Sequence, residues 1–133
     1  MAARGIRNNN PLNIRHSNSQ WLGKALKQTD KAFVQFSNKV YGYRAAFMLL
    51  KKYIMKGVNT IGKIIARWAP SSDGNNTRAY IDFVSRTSGI DASRTITFED
   101  KDDLVEIVRS MAQVESGIIE SKEIIEQAYE MAH

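Results

Sequence analysis

From Gly42 to the C-terminus, apolar residues recur at three-and-four spacing in five successive stretches, the first four of them closed by glycine or stopped by proline. Such punctuation makes a run of short amphipathic helices and leaves no room for a large sheet. The first stretch carries Ala46, Phe47, Leu49, Leu50, Tyr53 and Ile54 and closes at Gly57. Thr60 is placed to cap the second, with Ile61, Ile64, Ile65 and Trp68 on one face and Pro70 as its stop. After a polar loop, Ser71 to Asn76, either Asn76 or Thr77 starts the third, with Tyr80, Ile81 and Val84 inside and Gly89 at its end. A linker from Ile90 to Thr95 leads to Thr97, which with Asp100 three residues on forms a capping-box pattern. That fourth helix buries Leu104, Ile107, Val108, Met111, Ala112 and Val114, and runs out into Glu115, Ser116 and Gly117. The fifth covers roughly Ser121 to Met131, with Ile124, Ile125, Ala128 and Tyr129 on one face.

Residues 1–41 follow another rule. Asn8, Asn9, Asn10, Pro11 and Asn13 form a turn-rich cluster, because Asn bonds its own backbone and tolerates the left-handed region while Pro fixes the chain. Trp21, Gly23 and the run from Ala32 to Phe36 follow, with Phe33 and Phe36 as anchors of a short extended piece. The expectation is a small irregular or β-like N-terminal lobe beside five helices, a mainly α (α+β) fold. A chain of 133 residues builds this as one domain, 1–133, around one core. It has no cysteine, so neither disulfides nor thiolate metal sites contribute.

Charge is divided unevenly. Residues 1–72 hold thirteen Lys or Arg against one acid, Asp30, a balance of +12, and residues 73–133 hold six against thirteen, a balance of −7. Either the two halves pair with each other in the fold, or the basic half meets an anionic polymer such as nucleic acid or a bacterial wall with its carboxylate peptides. Nucleic acid is the less favoured partner, since the basic residues are scattered and no nucleic-acid motif is present. The N-terminal segment lacks the apolar run of a secretory signal, and no stretch reaches the roughly 20 apolar residues of a membrane span.

Chemistry is narrowed by what the sequence lacks. His16 and His133 are the two histidines and lie far apart, so no metal pair is expected; there is no phosphate-binding glycine loop and no Gly-x-Ser-x-Gly elbow. No metal or other cofactor is implied. Carboxylate chemistry or pure binding is left. Glu115, in the last turn of its helix, faces the negative end of the helix dipole, and burial against apolar neighbours would also favour its protonated form. Those are the conditions of a general acid; a solvated Glu at a frayed helix end is the plain alternative. Asn9, Asn10 and Asn13 offer donors and acceptors suited to sugar hydroxyls and acetamides. Trp21, Tyr41, Tyr43 and Trp68 offer flat faces for a pyranose, unless these groups only shape a turn and fill the core.

The segment Arg4 to Arg15, RGIRNNNPLNIR, resembles the Arg-Asn-Asn-Asn-Pro-Gly-Asn-Ile-Arg signature of a family of small phage and prophage proteins labelled virion structural protein P-five. The similarity continues through Trp21 and Gly23, Tyr41-Gly42, Thr60-Ile61, Arg67 to Pro70, Asn76-Thr77 with Tyr80-Ile81, and Glu115-x-Gly117. Leu12 stands where that family commonly has Gly, which puts the tight turn there in question. A second resemblance concerns chemistry. Ala112 to Gly117, AQVESG, is similar to the catalytic-glutamate segment of lysozyme-like bacterial glucosaminidases and soluble lytic transglycosylases. Asn9 to Arg15, Trp21-Leu22-Gly23 and Phe33 to Phe36 resemble further glucosaminidase segments, and Asn76 to Ile81 resembles the tyrosine helix of the transglycosylases. In those enzymes the glutamate helix comes first and here it comes last, so the resemblance implies a lysozyme-like fold only as a circular permutation.

What the second resemblance implies is a peptidoglycan-cleaving glycosidase, lytic transglycosylase-like or muramidase-like, with Glu115 as acid and Tyr80 beside it. Asn9, Asn10, Asn13, Trp21, Tyr43 and Trp68 would bind the glycan strand. With Asp30 the one acid of the basic half, a single-acid route is favoured, in which a substrate hydroxyl closes an anhydro ring. What the first resemblance implies is a virion-associated protein, with other virion proteins as partners, and its non-catalytic form is the alternative: a structural or wall-binding protein. The site of action expected is the virion, or the periplasm and wall after delivery from the host cytoplasm.

Overall fold

All five helical stretches read from the sequence fold as helices, and a sixth, shorter one precedes them. A computed structural model describes residues 3–133. Helix α1 spans Arg4–Arg7, α2 Lys39–Met55, α3 Ile61–Trp68, α4 Thr77–Ser88, α5 Lys101–Ser116 and α6 Lys122–Met131, with a 3-10 turn at Ser71–Asp73. Among the described residues, β structure is limited to two isolated antiparallel bridges, Arg15 with Phe33 and Lys24 with Phe36. The fold is mainly α. No described helix is long and apolar enough to cross a membrane.

Caps explain most helix limits. Thr60 accepts from the Lys63 amide at 3.1 Å and Asn76 from the Ala79 amide at 3.1 Å, as their positions in the sequence suggest. Helix α2 starts ahead of Gly42, because the Asn38 side chain accepts from the Val40 amide at 3.0 Å. The pattern at Thr97 works differently from a capping box: α5 begins at Lys101, and only the Asp100 carboxylate reaches back, to the Thr97 amide at 3.2 Å.

Helix α5 is the spine. Leu104, Val105, Ile107, Val108, Met111 and Ala112 are fully buried, each larger side chain contributing about 1.5–3 kcal/mol by its removal from water. Val114, read as part of that face, is 41% exposed, because the stripe drifts around the helix by the last turn. Helices α4 and α6 pack on α5, and α2 packs on α6. Phe47, Tyr129 and Phe98 join these layers, with Phe98 stacked on Tyr129 at 5.1 Å and Phe47 set edge-on to Tyr129 at 5.5 Å.

The N-terminal lobe is held by side-chain polar bonds instead of sheet ladders. Asn10 is fully buried; its Nδ2 donates to the carbonyls of Ile14 and Val34, both at 2.9 Å, and its Oδ1 accepts from the Ile14 amide at 2.9 Å. Asn9 and Asn13 take φ of +52° and +54°, left-handed values that Asn tolerates better than most residues. Leu12 needs no glycine-like backbone: it is not among the positive-φ residues, and its side chain is fully buried in the core. Asp30 ties the lobe together. It accepts from Arg4 Nε and a second guanidinium nitrogen, both at 2.6 Å, from Asn8 at 3.0 Å, and from the amides of Ala32 and Phe33. The Arg4 bond, with the other donors, holds its carboxyl far below the usual range.

Candidate active site

At the C-terminus of α5 the lobe and the helices meet. Gly117 ends the helix with φ +69°, and its amide donates to the Gln113 carbonyl at 2.9 Å. Helix ends leave carbonyls without partners. Here Asn13 Nδ2 donates to the Glu115 carbonyl at 3.1 Å, and Ser116 Oγ donates to the Pro11 carbonyl at 2.7 Å. Gly5 of α1 permits this closeness: a Cβ on it would stand 2.0 Å from Ser116 Oγ. The last turn of α5 is thus sewn to a loop about a hundred residues earlier in the chain.

The same Asn13 Nδ2 also donates to Glu115 Oε1 at 3.1 Å, and Tyr80 Oη donates to Oε2 at 3.1 Å. Burial pushes the Glu115 carboxyl pKa up from its ordinary value, while the bonds from Asn13 and Tyr80 pull it the other way; burial wins. Tyr80, 6% exposed, has its hydroxyl raised by burial first and then by the facing Glu115 charge, so it stays a donor.

Glu115 lines a groove of about 400 Å³. Asn13, Trp21 and Trp68, each proposed from the sequence as a glycan contact, line it too. Tyr80 does not; it holds the carboxyl from an adjacent cleft shared with Phe83, Gln113 and Val114. Two predicted contacts fail for a physical reason. Asn10 is buried with its amide bonded three times inside the lobe, and Tyr43 is buried with its hydroxyl donating to Glu120 Oε1 at 2.9 Å, so neither can touch a ligand. Asn9 lies away from Glu115, on a separate cleft with Ser37 and Lys39, its side chain donating to the Phe36 carbonyl at 3.1 Å.

Sequence reading missed several residues of this groove. Phe33, Leu49 and Tyr53 form apolar wall, with Tyr53 edge-on to Trp68 at 6.2 Å; Arg15, Asp73 and Asn75 bring polar and charged groups. Leu49 and Tyr53 carried a signal, being one turn apart on α2, yet they fit the buried stripe equally well. Asp73 stood in a loop with nothing to mark it. Its presence removes the premise that Asp30 is the one acid available, and Asp30 is committed to Arg4 and the lobe. Two buried polar atoms beside the groove, Asn13 Oδ1 and Trp21 Nε1, have no hydrogen-bond partner.

No protein-family model matches the chain. The chain is similar to Protein P5 of Pseudoalteromonas phage PM2, with 38% identity over 120 residues that cover 87% of this chain and 72% of that protein. An identity of that size, spread over most of both proteins, places the chain in the family of phage Protein P5.

Proposed function

We propose that this phage-type protein cleaves a glycosidic bond of peptidoglycan, with Glu115 as general acid. The observation that carries the reading is the state of Glu115: a half-buried carboxyl, its proton favoured by burial, oriented by Asn13 and Tyr80 in a groove with aromatic walls. A protonated acid in that position can give its proton to a glycosidic oxygen. Trp21, Trp68, Tyr53 and Phe33 supply apolar faces for sugar rings, and Asn13 and Asn75 supply amides. The chemistry is lysozyme-like, and it carries with it a permuted order of lysozyme-like elements, with the acid helix after the lobe. Asp73 in the same groove supports hydrolysis over the single-acid route. A glycosidase uses a second carboxylate as base for water or as nucleophile, whereas a transglycosylase closing an anhydro ring does without one. Kinship with a phage protein also suits a virion-associated role without catalysis, in which the groove binds wall or virion partners and Glu115 only packs.

Digestion of purified peptidoglycan, read by mass spectrometry, separates these. The natural chain should release muropeptides, and Glu115→Gln should lower the rate by roughly 10²–10⁴-fold while folding normally. Asp73→Asn should abolish products with reducing ends if hydrolysis is the route, and should leave anhydro products intact if it is not. A Glu115→Gln chain that clears peptidoglycan at the natural rate sinks the catalytic reading, and a natural chain that binds the wall and releases nothing favours the non-catalytic one.

A further inference from the structure

Among the described residues, the groove around Glu115 is lined by one cation, Arg15, with aromatic and aliphatic side chains, amides and two carboxylates. Its guanidinium carbon lies 4.9 Å from the centroid of the Phe33 ring, and that of Arg4 lies 4.6 Å from the same centroid. The two arginines differ in what else they meet. Arg4 is neutralised by Asp30 through two bonds of 2.6 Å, whereas Arg15 forms no ion pair with any described residue, although Asp73 lines the same groove. Arg15 is exposed, yet its backbone is fixed: it bridges Phe33, Val34 N donates to the Ile14 carbonyl at 3.0 Å, and His16 N donates to the Ala32 carbonyl at 3.1 Å. Contact with the ring biases the side chain toward one rotamer and lowers the entropy lost when it binds. The result is an unneutralised, partly preorganised guanidinium beside a candidate catalytic acid.

We propose that Arg15 binds a carboxylate carried by the substrate near the bond that Glu115 acts on, so that this groove selects an acidic glycan over a neutral one. The inference rests on the glycan-cleaving reading above and adds the substrate feature that the groove requires. Guanidinium and carboxylate are both planar and pair through two parallel bonds, which fixes orientation as well as charge. A doubly charged phosphate suits the place less well, because Asp73 and Glu115 line the same groove and repulsion grows with ligand charge.

The test compares two substrates on the whole chain: peptidoglycan strands with their carboxylates intact, and the same strands after those carboxylates are converted to amides. Binding is measured in the Glu115→Gln background and turnover in the natural one. For the intact strands, Arg15→Gln should raise Kd and KM by roughly 10- to 100-fold with kcat within about twofold, and Arg15→Lys should recover part of the loss. On amidated strands the natural chain should lose a similar factor, and Arg15→Gln should then add little further. If Arg15→Gln costs as much on amidated as on intact strands, or costs nothing on either, the carboxylate assignment is wrong while the glycan reading stands. If the natural chain neither binds nor cuts intact strands, the glycan reading fails and takes this inference with it. Should Arg15→Gln not fold, the amidated substrate on the natural chain and Arg15→Lys still decide the matter.

Discussion

Glu115 is held by two donors that act on its charge in the same direction, so its raised pKa is the work of burial against them. An acid with a raised pKa is active while protonated, so the rate should hold through the ordinary Glu range near 4.3 and fall as pH rises through the higher folded value. Removing the Tyr80 hydroxyl takes away one group that stabilises the carboxylate. Tyr80→Phe should therefore move the alkaline limb of the pH–rate profile upward, and lower kcat by roughly tenfold because the carboxyl is less well oriented. A profile unchanged in position would show that Tyr80 only packs. The acid, the direction in which burial moves it and the tyrosine beside it were legible in the sequence; the hydrogen bonds that hold it were not. Glu115 and Tyr80 could be picked out from their motifs, but their bond spans 35 positions, and the donor that opposes the effect of burial, Asn13, is 102 positions away.

At the scale of elements, the Asn-rich turn replaces a sheet as the organiser of the N-terminal lobe. Asn10 does for the chain at Ile14 and Val34 what a neighbouring strand would do, and it does so with no exposure to water. Asn10→Ala leaves the Ile14 amide and the Val34 carbonyl unpaired, while the Ile14 carbonyl keeps its bond from the Val34 amide, and should cost about 2 kcal/mol or more in denaturant unfolding. A conserved stability in that variant would contradict the structural role. Gly5→Ala drives a methyl into Ser116 Oγ and close to the Asn10 carbonyl and should cost about 1–3 kcal/mol, and it should impair the site too, since either Ser116 Oγ gives up its bond to the Pro11 carbonyl or the end of α5 shifts. Helix periodicity gave the five longer helices because it is a local property. It missed α1, four residues long and without an apolar stripe, and it misassigned Val114, whose side chain faces out at the drifting edge of the buried face.

Across the whole molecule, the basic and acidic halves do not cancel by pairing. Among the described residues, Lys39–Glu120 is the ion pair that joins them; Arg4–Asp30 lies within the first half, and Arg94–Asp103 and Lys101–Glu130 lie within the second. Most of the first half's positive charge is thus left for solvent or an anionic partner. Binding to an acidic polymer should weaken steeply between low salt and about 0.5 M, while binding to a neutral glycan should hardly change; equal salt dependence on both would argue against a charge-driven partner. The sequence by itself determined what depends on near neighbours: the helices and their stops, the left-handed asparagines, the charge division and the phage family resemblance. Tertiary structure alone decided which side chains share the groove, turning Asn10 and Tyr43 inward and bringing Asp73 and Arg15 to Glu115. The physical reason is that a carboxyl's pKa and a ligand's contacts are set by groups close in space, and in this chain the helix that carries the acid closes onto a loop from its opposite end.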